Sequence, residues 1–123
     1  FGLSHVWRKS FKVKISDPTR TLIDILNIPS TGGGIRHISE IVKNYFYSEY
    51  RNDEQVAGYI KRRGNRTIYK RLGYIIEKLK IDAPQLSDIC KSNISKGYSV
   101  LDPDVKANGK ILRKWNLRVN VNL

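Results

Sequence analysis

Asn65-Arg-Thr-Ile-Tyr-Lys-Arg-Leu-Gly-Tyr-Ile-Ile-Glu-Lys-Leu-Lys80 is the stretch on which the fold class turns. Ile68, Leu72, Ile75, Ile76 and Leu79 recur at offsets of three and four, which places them on one face of a helix from about Arg66 to Lys80. Asn65 stands where a side-chain oxygen can cap the first free N–H groups. A long helix with one apolar face needs other elements to cover that face.

Working back toward the N-terminus, Lys61-Arg62-Arg63-Gly64 ends a preceding helix with cations and a glycine stop, and Asn52-Asp53-Glu54 opens it with a cap and two first-turn acids. Val56, Ala57 and Ile60 form its apolar side. Ile38, Ile41, Val42 and Tyr45 predict another helix, about Ile35 to Tyr47, after a Ser30-Thr31-Gly32-Gly33-Gly34 turn. Ser16-Asp17-Pro18-Thr19 has the capping residues and first-turn proline of a helix carrying Leu22, Ile23, Ile25 and Leu26. Ahead of it, Phe11, Val13 and Ile15 alternate with Lys12 and Lys14, the period of a half-buried strand.

Toward the C-terminus, a fifth helix is predicted over about Gln85 to Ile94, with Leu86, Ile89 and Cys90 inward. Tyr98 to Leu101 reads as a short strand. Ile111 to Val121 reads as another, alternating through Leu112, Trp115, Leu117 and Val119 with a slip near Lys114. An Ala107-Asn108-Gly109 turn suggests a hairpin between the two. The predicted fold is therefore α+β: about five helices on a small, mainly antiparallel sheet, in a single domain over residues 11–123, with 1–10 a linker or edge segment.

With 23 Lys and Arg against 11 Asp and Glu the chain carries a net charge of +12, which points to an anionic partner. Nucleic acid, an acidic protein, an anionic membrane surface and a merely solvated surface all fit that charge, with nucleic acid the first candidate. No apolar run is long enough to span a bilayer, and no signal-peptide core is present, so the expected location is cytoplasmic with no membrane partner. Cys90 is the only cysteine, so there is no internal disulfide. A chain that starts at Phe1 and has no methionine is expected to be a piece of a longer protein.

The densest feature is Lys61, Arg62, Arg63, Arg66, Lys70 and Arg71, a cationic run with no acid among them. If the helices on either side of Gly64 were continuous, Arg62, Arg63, Arg66 and Lys70 would share an arc opposite Ile68, Leu72 and Ile75, a face suited to phosphate, with Tyr59, Tyr69 and Tyr74 near enough to bond or stack. A second, weaker set is Lys12, Lys14, Arg113 and Arg118, on strands that could share an exposed sheet face. Trp7, Arg8 and Lys9 add charge and a ring near the start.

Catalysis is not expected. His5 and His37 are too far apart for a helical metal pair, Cys90 has no paired base, and the glycine turn lacks the Lys-Ser/Thr of a phosphate loop. Asp17 and Asp24 with Glu40 or Glu77 could be drawn as a metal cluster, but capping by Asp17 and a pair between Arg20 and Asp24, four apart on a helix, account for both aspartates. No cofactor and no metal are expected.

Ser16-Asp17-Pro18-Thr19-Arg20-Thr21-Leu22-Ile23-Asp24 resembles the segment that opens the C-terminal domain of AbiEi-type antitoxins of the abortive-infection AbiE toxin–antitoxin system. The following order is similar too: Pro29 with Gly33 and Gly34, then Arg71-Leu72-Gly73-Tyr74 with Glu77, then Tyr98 and Leu101-Asp102-Pro103, then Trp115, Leu117 and Asn120. It runs from about Trp7 to Leu123, nearly the whole chain. The resemblance implies a type IV antitoxin and transcriptional autorepressor with an upstream winged-helix domain outside this sequence. It also implies phage defence by counteracting an AbiEii-like nucleotidyltransferase toxin without a stable complex, and basic patches that assist operator DNA binding. The alternative is a protein-interaction module recognising the toxin or an acidic partner without nucleic acid. Within the motif, Gly73 predicts a close approach to the backbone and Trp115 a core anchor.

Overall fold

The computed structural model describes residues 17–123, so the strand expected over Phe11 to Ile15, Lys12 and Lys14, His5, and Trp7 with Arg8 and Lys9 lie outside the described residues. In chain order the elements are α1 (Pro18–Asn27), a 3-10 turn (Pro29–Gly32), α2 (Ile35–Phe46), α3 (Asp53–Arg63), α4 (Thr67–Lys78), α5 (Pro84–Ser92), β1 (Ser99–Val100), β2 (Lys110–Leu112) and β3 (Leu117–Val119). The class is α+β, with five α-helices and a small three-stranded sheet among the described residues.

The helix starts follow the chemistry of their caps. Asp17 accepts from Arg20 N at 3.1 Å ahead of Pro18, Asn52 accepts from Gln55 N at 3.1 Å, and Asn65 accepts from Thr67 N at 3.1 Å. Each satisfies an N–H that has no partner inside its helix. The start of α2 has no local side-chain cap; Asp102, 67 residues away, reaches it through Oδ2 and accepts from Ile35 N at 3.1 Å. Gly64 ends α3 in the left-handed conformation at φ 75°, which glycine adopts without strain.

α4 lies at the centre. Every residue from Ile68 to Ile76 is buried, because α1 crosses one side, α5 another, and the sheet-bearing C-terminal segment a third. The apolar stripe Ile68, Leu72, Ile75 and Ile76 faces the core as predicted, joined there by Leu22, Leu26, Ile38, Val42, Tyr45, Ile60 and Leu117. Leu79, also in the predicted stripe, is half-buried just past the helix end, and Glu77 and Lys78 are exposed in the last turn of α4. Ile89 departs from the inward set expected on α5: it is 40% exposed, while Leu86 and Cys90 are buried.

The sheet corrects the expected strand pairing. β1 pairs with β3 in parallel, Ser99 opposite Leu117, and β2 pairs with β3 antiparallel, Leu112 opposite Leu117. The order is β1-β3-β2, a mixed sheet, so no hairpin joins the Tyr98 strand to β2 across Asn108-Gly109. The run read as one strand is two, split by a turn at Arg113–Asn116 in which Trp115 N donates to Leu112 O and Asn116 N to Arg113 O. Asn116 takes φ 49°, a conformation asparagine tolerates better than most residues. The slip near Lys114 is therefore a turn, and it drives Trp115 inward.

Trp115 is 1% exposed and lies against Gly73 on α4. A Cβ at Gly73 would stand 2.3 Å from Trp115 Cζ3. One helical turn on, Glu77 accepts from the indole N–H at 3.1 Å and pairs with Lys114. The α4 face thus supplies a shelf for the ring and a polar stop for its one donor.

Two outcomes follow. Gly73→Ala gains about 1 kcal/mol of helix propensity but forces the indole off its shelf, an overpacking cost of about 1–3 kcal/mol. Chemical denaturation is expected to show a net loss, and Trp115→Phe a smaller additional loss in the Gly73→Ala background than in the wild type. For Glu77, burial pushes its carboxyl up, but the donors from Lys114 and Trp115 outweigh it and hold it below the usual range. Its contribution is therefore complete above the unfolded-state value and is lost as pH falls through the folded one. The stability gap between wild type and Glu77→Gln, measured by thermal unfolding, is expected to be widest at neutral pH and to narrow on acidification.

Candidate nucleic-acid interface

The structure divides the cationic run in two. Lys61, Arg62 and Arg63 lie exposed on the last turn of α3, and Arg66 is exposed just after Gly64. Lys70 and Arg71 are 0% and 6% exposed, so they do not belong to an outward basic face. The reversal at Gly64 separates the two helices and abolishes the continuous arc that would have aligned Lys70 with Arg62.

Both buried cations are spent on neutral oxygens of the fold, backbone carbonyls and one serine hydroxyl. Lys70 donates to Gly97 O and, at 2.8 Å, to Ser99 Oγ, tying α4 to the start of β1. Arg71 donates to Leu26 O at 2.9 Å and Asn27 O at 3.3 Å, the C-terminal carbonyls of α1. It also donates to Leu101 O at 3.1 Å and Val100 O at 3.4 Å. Burial pulls both cations down from their ordinary values, and for Arg71 the nearby Asp102 and Asp104 oppose that pull. A helical projection sees only charge, whereas these two side chains answer unpaired acceptors at a helix end and a strand.

The four exposed cations border two clefts on opposite flanks of α3. One, of about 570 Å³, opens between α1 and α3 and is lined by Arg20, Ile23, Asp24, Tyr59, Arg62 and Arg63. The other, of about 580 Å³, opens between α3, α4 and α5, with Lys61 and Arg66 on its wall and Ala57, Ile60, Tyr69 and Ile89 beneath. The Arg62 guanidinium sits 4.7 Å from the Tyr59 ring centroid, in cation–π geometry. Tyr59 donates its hydroxyl to Asp17, and that acceptor pushes the phenol up from its ordinary value.

Arg63 is ion-paired with Asp24, which corrects the Arg20–Asp24 pair expected from i,i+4 spacing. The partner comes from a different helix, across the cleft. Of the three tyrosines near the run only Tyr59 reaches the surface; Tyr69 and Tyr74 are 7% exposed, with their phenols pushed up by burial.

Of the second basic set, Arg113 and Arg118 fall within the described residues. Arg113 lies exposed in the β2–β3 turn. Arg118 stands mid-strand between Val100 and Ile111 and donates to Gly109 O at 3.0 Å.

Several of the motif residues make structural contacts, while Arg20 is exposed on the first turn of α1. Gly33 and Gly34 form the turn into α2, whose N-terminus is filled by the Asp102 carboxylate. A carboxylate already occupies the place a phosphate would take. Asn120 receives Asp102 N on Oδ1 at 3.1 Å and donates through Nδ2 to Asp102 O at 2.9 Å and Val105 O at 3.1 Å. Leu72 is fully buried. Among the described residues no group of three or more His, Cys, Asp or Glu could hold a metal ion. His37 is exposed on α2, and the buried Cys90 thiol is pushed up to about 12 by burial, which removes its nucleophilic form at neutral pH.

Compared with protein-family models, characterised proteins and solved structures, the chain matches none of them.

The split between scaffold and surface cations is measurable. Arg71→Ala leaves four carbonyls short of a donor and is expected to cost about 2–4 kcal/mol of stability, with little recovery in Arg71→Lys, whose single point donor cannot span them. Arg62→Ala and Arg66→Ala are expected to stay within about 0.5 kcal/mol of wild type. Equal losses at all three positions in urea denaturation would contradict the division.

Proposed function

We propose that this chain is the C-terminal domain of an AbiEi-like antitoxin and autorepressor, a non-catalytic cytoplasmic domain that adds basic surface to operator DNA binding. In that role it counteracts an AbiEii-like nucleotidyltransferase toxin in phage defence without forming a stable complex with it. The observation that carries the DNA part is the exposed group Lys61, Arg62, Arg63 and Arg66 at the end of α3, of which Arg63 alone forms an ion pair, with Asp24, among the described residues. The antitoxin part rests on the ordered resemblance. Its residues Asp17, Arg71, Gly73, Asp102, Trp115 and Asn120 engage one another's elements through the contacts described above, which gives that order a structural reason.

Part of the charge on α3 has a simpler use. Cations in a last turn offset the negative end of the helix dipole, an effect of about 0.3–1 kcal/mol. That effect operates within the last turn and does not call for Arg66, which lies beyond the helix end. Nor does it explain why Lys61, Arg62 and Arg66 form no ion pair among the described residues.

A second reading, a protein-interaction module for an acidic partner, is favoured by the apolar floor beside Lys61 and Arg66, where Ile89 is 40% exposed. It predicts a partner that co-purifies and survives nuclease treatment.

The DNA reading is tested by titrating duplex DNA over a salt series against wild type and a variant with Lys61, Arg62, Arg63 and Arg66 changed to alanine. Each lost phosphate contact is expected to flatten the slope of log K against log salt by about 0.9. Equal affinity and equal slope for the two proteins would sink the assignment.

A further inference from the structure

We propose that the cleft between α1 and α3 is a binding site for a phosphate monoester, held by Arg20 and Arg62. The cleft's own acids are committed elsewhere: Asp24 pairs with Arg63, and the neighbouring Asp17 accepts from Tyr59 and from Arg20 N. The guanidiniums of Arg20 and Arg62 form no ion pair among the described residues, and both act on the Tyr59 phenol, drawing it down against the larger pull of Asp17. Two unneutralised forks therefore border one recess.

Arg62 is already oriented for this role. Its stack on Tyr59 fixes the plane of the guanidinium and Nε donates to Gly58 O at 3.5 Å, while the two terminal Nη groups make no hydrogen bond among the described residues, so less ordering remains for a ligand to impose. Arg20 projects from the first turn of α1, where the positive end of the helix dipole adds to its charge. Ile23, 1% exposed, and the Tyr59 ring give the cleft an apolar side for a sugar or base. The volume of about 570 Å³ falls within the range of small-molecule sites, roughly 300–1,000 Å³.

The geometry favours a terminal phosphate over a backbone diester. A monoester offers three non-bridging oxygens, enough for paired bonds from both forks, whereas a diester offers two and must continue past the site at both ends. Lys61 and Arg66, the cations suited to a passing backbone, line the other cleft. The inference shares Arg62 with the α3 group that carries the operator-binding reading but does not rest on that reading, because Arg20 lies outside the group.

Two sources share this chemistry: a free nucleotide and the phosphorylated end of a strand. The test is calorimetric titration of the chain at fixed ionic strength with AMP, with adenosine, and with one oligonucleotide bearing either a 5′-phosphate or a 5′-hydroxyl. AMP or the phosphorylated strand is expected to bind at least about tenfold more tightly than its unphosphorylated counterpart, the equivalent of one charge-assisted contact. Whichever of the two binds more tightly identifies the source.

Arg20→Ala is expected to weaken that binding at least about tenfold and Arg20→Lys to restore little of it, since lysine lacks the fork. The Lys61→Ala, Arg66→Ala double variant, whose cations line the other cleft, should leave AMP binding and the preference for the 5′-phosphate over the 5′-hydroxyl strand unchanged, even where it weakens both strands alike. Arg20 is exposed and its side chain makes no hydrogen bond or ion pair among the described residues, and far-UV circular dichroism of Arg20→Ala verifies the fold. The proposal is overturned if neither phosphorylated probe outbinds its counterpart. It is equally overturned if Arg20→Ala and the Lys61→Ala, Arg66→Ala variant lose AMP binding, or the preference for the 5′-phosphate, to the same extent, which would mark general charge attraction.

Discussion

A single guanidinium, that of Arg71, meets four backbone carbonyls contributed by two separate parts of the chain, the end of α1 and the exit of β1. Burying a cation without a directly bonded carboxylate is expensive unless its donors are satisfied. Here the acceptors at Leu26 and Asn27 are the free carbonyls of a helix C-terminus, so the helix dipole adds to the hydrogen bonds. The fifth residue along the same path, Asp102, follows Leu101 directly and caps α2, while Asn120 grips Asp102 on its backbone. The end of α1, the start of α2, the middle of α4 and both ends of the sheet segment therefore share one run of polar contacts. Loss of the guanidinium would release several of them together.

What the sequence disclosed was what short-range chemistry controls. Asp17, Asn52 and Asn65 cap the helices they precede, Gly64 stops α3, and the stripe Ile68, Leu72, Ile75 and Ile76 faces the core. Gly73 was legible by half: a glycine inside a strong helix signals a close neighbour, but only the fold supplies Trp115. The remainder depends on contacts between residues far apart in the chain. No local pattern distinguishes Lys70 and Arg71 from surface cations, because their acceptors are backbone carbonyls about 27 to 45 positions away. The strand pairing failed for a similar reason. A parallel β1–β3 pair needs a crossover, while the visible Asn108-Gly109 signal proposed a hairpin that the fold does not make.

Removing Lys70 and Arg71 from the surface sharpens the electrostatic picture. The motif run holds six cations, but only the four around the end of α3 can meet a ligand, and one of those, Arg63, is shared with Asp24. Basic character is thus concentrated at the Gly64 break, between two clefts whose surroundings differ. The α1 side offers arginine forks over a tyrosine ring; the α5 side offers one lysine and one arginine over an apolar floor. A uniform basic face would attract any polyanion equally. Two unlike recesses on either side of one helix allow the flanks to select by shape as well as by charge.

The position of the exposed cations also limits what they can read. Base edges in the major groove are usually reached by the face or N-terminal half of a helix laid along the groove, whereas Lys61, Arg62 and Arg63 leave the C-terminal turn of α3 and Arg66 follows the break. Long cationic side chains at such a corner suit phosphates, and phosphate contacts set position and orientation without carrying sequence information. Under the proposed antitoxin reading, recognition of the operator sequence then has to come from another element, with this domain supplying affinity and register. That division matches the energetics of counterion release, in which a few added phosphate contacts raise affinity for every sequence alike and leave the choice among sequences to whatever touches the bases.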